Sequence, residues 1–183
     1  MSDRANQRGS QVGKVGFPRC LAGDKLKLIG HRTDPTRTLA LSHVPSVLRY
    51  NLAMYVLKVR SREREELVEF TDEVQQQLTA AGEQEGVVVL YVQHTTAGLT
   101  VNENADPDVP CDMLHLLRTL IPQQGMGFRH GEENSDAHIK ATLVGSSVNI
   151  PFKDGKLLLG RWQGIFLCEF DGGRERQVIM MVR

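Results

Sequence analysis

Six polar residues within thirteen positions, His94, Thr95, Thr96, Asn102, Glu103 and Asp106, make the stretch Gln93–Asp112 (QHTTAGLTVNENADPDVPCD) the first place to look for chemistry. An apolar run, Val87–Val92, ends abruptly at this stretch. A short β-branched and aromatic run of that kind predicts a strand buried on both faces, which would deliver the polar residues to its end. Buried polar groups need partners, so the cluster reads as a candidate site rather than as solvated loop. Glu103, among Asn102, Asn104 and His94, could bind a divalent cation or accept a proton, and desolvation there would raise its pKa. Asp108 and Asp112 read as helix-start residues, because acidic groups favour the positive end of a helix.

Two further histidines lie near polar residues: His130 in a loop, and His138 eight residues later on a predicted helical turn. Neutral imidazole is a common transition-metal ligand and the usual general base near neutral pH, so His94, His130 and His138 suit either role. Their spacing is not HExxH, and a shared metal would require that the fold bring them together. A third feature is Gly160-Arg161-Trp162-Gln163-Gly164, which holds the single tryptophan. Trp162 reads as a packing residue, whereas Gln163 beside glycines could offer a ligand both a donor and an acceptor. Glu169 and Arg174 fall on the next strand and turn, as ligand contacts or as a salt bridge.

The elements that must position these residues follow from periodicity and turn chemistry. Leu52–Val59 predicts a strand, with Glu65–Phe70 as its partner across the charged turn at Ser61–Arg64. Thr71 reads as the N-cap of a helix that stops at Gly82. A second helix runs from Asp108 and Pro110 to a stop at Pro122, with Met113, Leu114, Leu116, Leu117, Leu120 and Ile121 at helical spacing. Asn134, Ser135 and Asp136 offer caps for a third, Ala137–Val144, closed by Gly145. Beyond it, Val148–Phe152 and Lys156–Leu159 flank Asp154-Gly155, and Gly164–Phe170 and Arg176–Val182 flank Asp171-Gly172-Gly173, which predicts a β-meander. About seven strands and three helices predict a single α+β domain, sandwich-like or built on a strongly twisted mixed or antiparallel sheet.

Composition narrows the class. With 183 residues, 40% of them hydrophobic, the chain is long enough for one core and a short appendage. No run approaches the roughly 20 apolar residues that span a bilayer, and MSDRANQRGS lacks a secretory apolar segment, so a cytoplasmic protein is expected, with no membrane partner. Residues 1–50 hold nine Lys/Arg against three Asp/Glu, leaving 13 against 19 for residues 51–183. This basic arm has no sustained periodicity and no interleaved aromatics, so it predicts a disordered or loosely attached extension and argues against nucleic-acid binding. Met54, beside the first convincing strand, is an alternative start that an intact mass from the native source would test. Cys20, Cys111 and Cys168 form no CxxC pair and read as idle thiols. The chain has neither a Walker-type loop nor a nucleophile elbow, which argues against P-loop hydrolysis and serine-type acyl transfer.

In this order the motifs resemble those of the YjbQ-like family, whose members are often labelled secondary thiamine-phosphate synthases. The resemblance runs over residues 54–183. It rests on His94-Thr95-Thr96 with Asn102-Glu103-Asn104 and Asp106, His130 with Ala137-His138-Ile139-Lys140, Gly145-x-Ser147, and Gly160-x-Trp162-Gln163-Gly164 with Glu169 and Arg174. It implies a compact α+β homotrimer with a pocket near subunit contacts and a divalent metal, zinc or magnesium, most plausibly on His94, His130 and His138. The activity it implies joins hydroxymethylpyrimidine diphosphate to a thiazole phosphate with loss of pyrophosphate. Under that reading His94, Glu103, Thr95 and Thr96 are catalytic, and Asn102, Asp106, Asn134, Lys140, Ser147, Gln163, Glu169 and Arg174 bind a small phosphorylated substrate. A metal-dependent hydrolase on the same histidines and a non-catalytic ligand-binding trimer are the alternatives.

Overall fold

The computed structural model describes residues 53–183, so the expectations for residues 1–50 and for Cys20 lie outside the described residues. The described chain runs β1 (Ala53–Arg60), β2 (Glu66–Glu69), α1 (Thr71–Ala81), β3 (Glu85–Val92), β4 (Ala97–Glu103), α2 (Asp108–Leu120), α3 (Ser135–Val144), β5 (Ser147–Lys153), β6 (Lys156–Leu157), β7 (Gln163–Glu169) and β8 (Glu175–Val182). Five strands form a curled antiparallel sheet in the order β1-β8-β3-β5-β6, and three form a small one in the order β2-β7-β4. The α+β expectation holds.

Side-chain alternation decides how the layers stack. Along β8, Arg176, Val178, Met180 and Val182 point inward while Glu175 and Gln177 face out. With Val88, Leu90 and Val92 of β3 they pack on Leu99, Ile165 and Leu167 of the small sheet and on Val74 and Leu78 of α1. The reverse face of the small sheet carries Cys168 and Phe170, which meet Ala137 and Ala141 of α3 and Leu114 and Leu117 of α2. The small sheet is thus the middle layer, and β7 is buried from Gly164 to Glu169. The strand covered on both faces is therefore β7, not Val87–Val92, whose outer face shows Tyr91 44% exposed.

Several local expectations change. The stretch read as a polar cluster contains a strand not assigned from the sequence, β4, whose inward Leu99 and Val101 are spaced for a strand. β1 pairs with β8 and β2 with β7, so the first two strands are not partners. Asp154-Gly155 closes the β5–β6 hairpin as expected, but β7 and β8 lie in different sheets, so no continuous meander forms. Asp171-Gly172-Gly173 instead crosses between the sheets against the Ser61–Glu63 backbone, where a Cβ on Gly173 would lie 2.3 Å from the Arg62 carbonyl oxygen. The Thr71 hydroxyl accepts the Ile165 N–H rather than capping α1, and Asn134 precedes α3 without capping it through its side chain. Met54 lies inside β1, not ahead of it.

Candidate functional site

β3 ends beside the C-terminus of α3, and that junction forms a cavity. The Val92 N–H donates to the Ser146 carbonyl and the Leu99 N–H to the Gly145 carbonyl. Gly98 allows the approach: a Cβ there would sit 2.8 Å from the Gly145 oxygen. The resulting cavity of about 630 Å³ is lined by Tyr91, His94, Thr95, His138, Thr142 and Ser146, among others. His94 and His138, 44 residues apart, therefore share one space. The His130 ring sits edge-on to His138 with ring centroids 5.3 Å apart.

The state of His94 is set by its neighbours. Its Nε2 accepts the Gln177 N–H at 3.0 Å, so the neutral ring carries its proton on Nδ1. Burial lowers its pKa below the ordinary 6.5, and the Arg176 and Arg174 charges lower it further against an opposing pull from Glu169. His94 is thus a neutral imidazole that offers Nδ1–H as a donor. That does not fit a metal ligand: Nε2 is occupied, and Nδ1 could bind a cation only if the Gln177 bond were given up. Among the described residues, no three His, Cys, Asp or Glu side chains are grouped to hold a metal ion. His130 and His138 are close enough to share one; the three imidazoles do not form a ligand set within one chain.

Thr95 faces the cavity, whereas Thr96 is buried and its hydroxyl accepts from Arg176 Nη2 at 2.9 Å. Arg176 also grips Glu169 through Nε at 2.6 Å and through Nη2 at 2.5 Å. Glu169 is fully buried and accepts in addition from Ser61 Oγ and the Phe170 and Asp171 N–H groups. Burial alone would raise its pKa, and Arg176 with these N–H groups holds it below the ordinary carboxylate value instead. Glu169 has no lone pair aimed at a ligand. It is the anchor that fixes Arg176, Thr96 and, through the neighbouring Gln177, His94. Arg176 could have been found from the sequence, because it shares its inward register with Val178, Met180 and Val182.

The other expected site residues lie elsewhere. Glu103 is at the far end of β4, six residues or roughly 20 Å beyond Ala97, opposite Gln163 in the register. Asn102 is used locally: its Nδ2 donates to Met113 Sδ and its Oδ1 accepts the Glu103 N–H. Asp106 accepts the Asp108 N–H at the start of α2, and Gln163 Oε1 accepts the Gly160 N–H to close its turn. Trp162 is not a packing residue: it is exposed, with the Arg161 guanidinium 4.5 Å from its ring centroid. Arg174 pairs with Asp171, Asn134 donates to Asp171, and Ser147 is exposed on β5. Lys140 faces away from His138 and is buried between Asp136 and Glu65. Of the remaining thiols, Cys111 is exposed and Cys168 is buried with its pKa pushed up to about 12, which keeps it inert.

These features define a class: a two-sheet α+β domain with a histidine-lined cavity where the large sheet meets a helix end. Residues 55–183 match the model of the UPF0047 protein YjbQ-like family, and the chain belongs to that family. It is 47% identical over 129 residues to a UPF0047 protein of Methanocaldococcus jannaschii, covering 70% of this chain and 93% of that one. With UPF0047 protein YugU of Bacillus subtilis it shares 44% identity over 120 residues, 66% of this chain and 91% of that one. A crystal structure of the YugU ortholog of Clostridium acetobutylicum superposes with a TM-score of 0.67 at 42% identity, covering 70% of this chain and 99% of that one. A YjbQ-like protein of unknown function from Sulfolobus solfataricus gives 0.68 at 30% identity, covering 72% and 96%. The family is one of uncharacterised function.

Proposed function

We propose that the His94–His138 cavity is the active site of a transferase acting on a small phosphorylated heterocycle, of the thiamine-phosphate-synthase type. The carrying observation is the cavity's electrostatics. No Lys or Arg lines it, its imidazole at His94 is held neutral, and it lies at the carbonyl end of α3, where the helix dipole favours positive charge. Loss of pyrophosphate from hydroxymethylpyrimidine diphosphate leaves a pyrimidine cation, and such a lining stabilises that cation and offers it few nucleophiles. His94 Nδ1–H would orient the ring, with Thr95 and Thr142 as further polar contacts. The leaving pyrophosphate needs cations of its own, and Arg174 is close enough for its charge to depress the His94 pKa. A divalent metal held by His130 and His138 would supply Lewis acidity. The hydrolase alternative is less favoured, because a His94 whose Nε2 already accepts a backbone N–H is poorly placed to take a proton from water.

The reading includes a homotrimer. On the outer face of the large sheet Met54 and Val56 of β1 lie beside Met181 and Ile179 of β8, which in turn lie beside Val89 and Tyr91 of β3. Met54 is 64% exposed and Val56 54%, and a contiguous apolar stripe of this kind marks a covered surface. Tyr91 belongs to both the stripe and the cavity, so a second copy docked there would close the site and exclude water. No helix among the described residues is long and apolar enough to cross a membrane, and a cytoplasmic setting belongs to this proposal.

The test is direct assay: purified protein is incubated with hydroxymethylpyrimidine diphosphate and thiazole phosphate, and thiamine phosphate and pyrophosphate are quantified. Product from wild type, lost in His94→Ala and His138→Ala, supports the reading. No product, or equal product from all three proteins, overturns it.

A further inference from the structure

Helix α3 separates the His94 cavity from a second one. Residues 136 and 140 stand about 200° around the helix from His138, so they face the other way. There a cavity of about 510 Å³ opens between the β1–β2 turn, the end of α2 and α3, lined by Arg64, Glu65, Arg118, Gln123, Asp136 and Lys140 with Glu63 at its exposed rim.

A count of hydrogen-bonding capacity shows what this cavity lacks. Asp136 Oδ1 accepts from Arg64 Nη2 at 2.9 Å, and Oδ2 accepts from Arg64 Nη1 at 3.1 Å and Lys140 Nζ at 2.9 Å. Glu65 Oε1 accepts from Lys140 and Oε2 from Arg118 Nε. All four carboxylate oxygens are therefore partnered. The donors are not: Arg118 spends only Nε and keeps both Nη groups, and Lys140 spends two of its three protons. Three cations stand against two carboxylates in the hydrogen-bonded network, with Glu63 a third carboxylate on the exposed rim; Asp136 and Lys140 are 0% and 1% exposed, while Arg118 is 53% exposed and holds its free Nη groups at the cavity mouth. What would complete the site is an anion with several acceptor oxygens.

We propose that this cavity binds the phosphoryl group of a small ligand, at a site separate from the His94 cavity and independent of the reaction assigned there. A terminal phosphoryl presents three acceptor oxygens to the Arg118 fork and the Gln123 amide, which a carboxylate cannot match in number. The volume leaves room for more than inorganic phosphate.

The experiment is calorimetric titration of the full chain with inorganic phosphate, pyrophosphate and acetate, alongside nitrogen-15 NMR of the arginine Nε–H signals. Wild type is expected to bind pyrophosphate and phosphate but not acetate, with the Arg118 and Arg64 signals shifting. Arg118→Gln keeps the helix and is expected to weaken binding by roughly tenfold or more. His94→Ala is expected to leave the Arg118 and Arg64 signal shifts unchanged. Absence of binding to wild type at ~10 mM phosphate and pyrophosphate overturns the proposal. So does a loss in His94→Ala equal to that in Arg118→Gln, or an Arg118→Gln protein that melts earlier yet binds as wild type does.

Discussion

The two sides of α3 hold opposite kinds of polar chemistry within five consecutive residues. Toward the cavity, His138 is half-buried beside a neutral His94, with open space in front of it. Toward the β1–β2 turn, Asp136 and Lys140 are buried and paired through short, charge-assisted bonds. Burial alone would raise the Asp136 pKa, but the Arg64 and Lys140 charges hold it below its ordinary 3.8. One side of the helix holds a buried ion network with spare donors at its mouth, and the other presents imidazole and hydroxyl groups to an open cavity. A motif such as Asp136-Ala-His138-Ile-Lys140 therefore mixes roles residue by residue, with Ala137 small enough to let the helix approach the small sheet.

That contrast can be broken by mutation. Asp136→Ala, which leaves the buried Lys140 with Glu65 alone and the part-exposed Arg64 without its main partner, is expected to cost about 3–5 kcal/mol in denaturant unfolding, while leaving ligand binding in the His94 cavity intact under folding conditions. A smaller loss would mean that Arg64 and Lys140 relax into water. His138→Ala should reverse the pattern: stability changes by less than about 1 kcal/mol, whereas turnover in the synthase assay falls by ~100-fold. Equal damage to stability from both variants would erase the distinction between the two sides.

The outer sheet face gives a third test. Val56→Asp lines neither cavity in its own chain, lying two strands from Tyr91, and is expected to shift the proposed trimer toward monomer by analytical ultracentrifugation. It should reduce turnover only if a neighbouring copy closes the site. A subtler probe is pH. A carboxylate with a depressed folded pKa stabilises fully above its unfolded value and loses that contribution as pH falls through the folded one. Stability should therefore fall below about pH 4 in wild type, and Asp136→Asn should flatten that fall. His94 acts in its own window: with its folded pKa below 6.5, its contribution is complete above that pH and declines as pH drops, which His94→Gln would remove. The smallest effect is expected from Glu103→Gln, near zero on stability. A loss of turnover comparable to that of His138→Ala would show that Glu103 takes part in the reaction.

Much of the fold was legible because it is local. The apolar run of β3, the amphipathic spacing of α2, the Gly82 stop of α1 and the Asp154-Gly155 hairpin each follow from a few adjacent residues, and each appears. β4 was not assigned because Thr100, Asn102 and Glu103 interrupt the apolar signal of a half-buried strand. The assumed β7–β8 hairpin failed because the same turn residues serve a crossover between sheets, and nothing near Asp171-Gly172-Gly173 tells the two apart. In the site, His94 and His138 line one cavity, while Glu169, Lys140 and Asn102 spend their polar atoms on other protein groups.

The sequence by itself determined the family, the α+β class and the chemistry on offer, because residue type and short-range periodicity fix propensity, burial pattern and pKa range. Only the tertiary structure decided which groups remain free. Whether a carboxylate serves a ligand or an arginine depends on contacts such as Glu169 with Arg176, formed through β8, and His94 with Gln177, 83 residues apart in sequence. Those pairings depend on how the two sheets stack, and no local pattern encodes them.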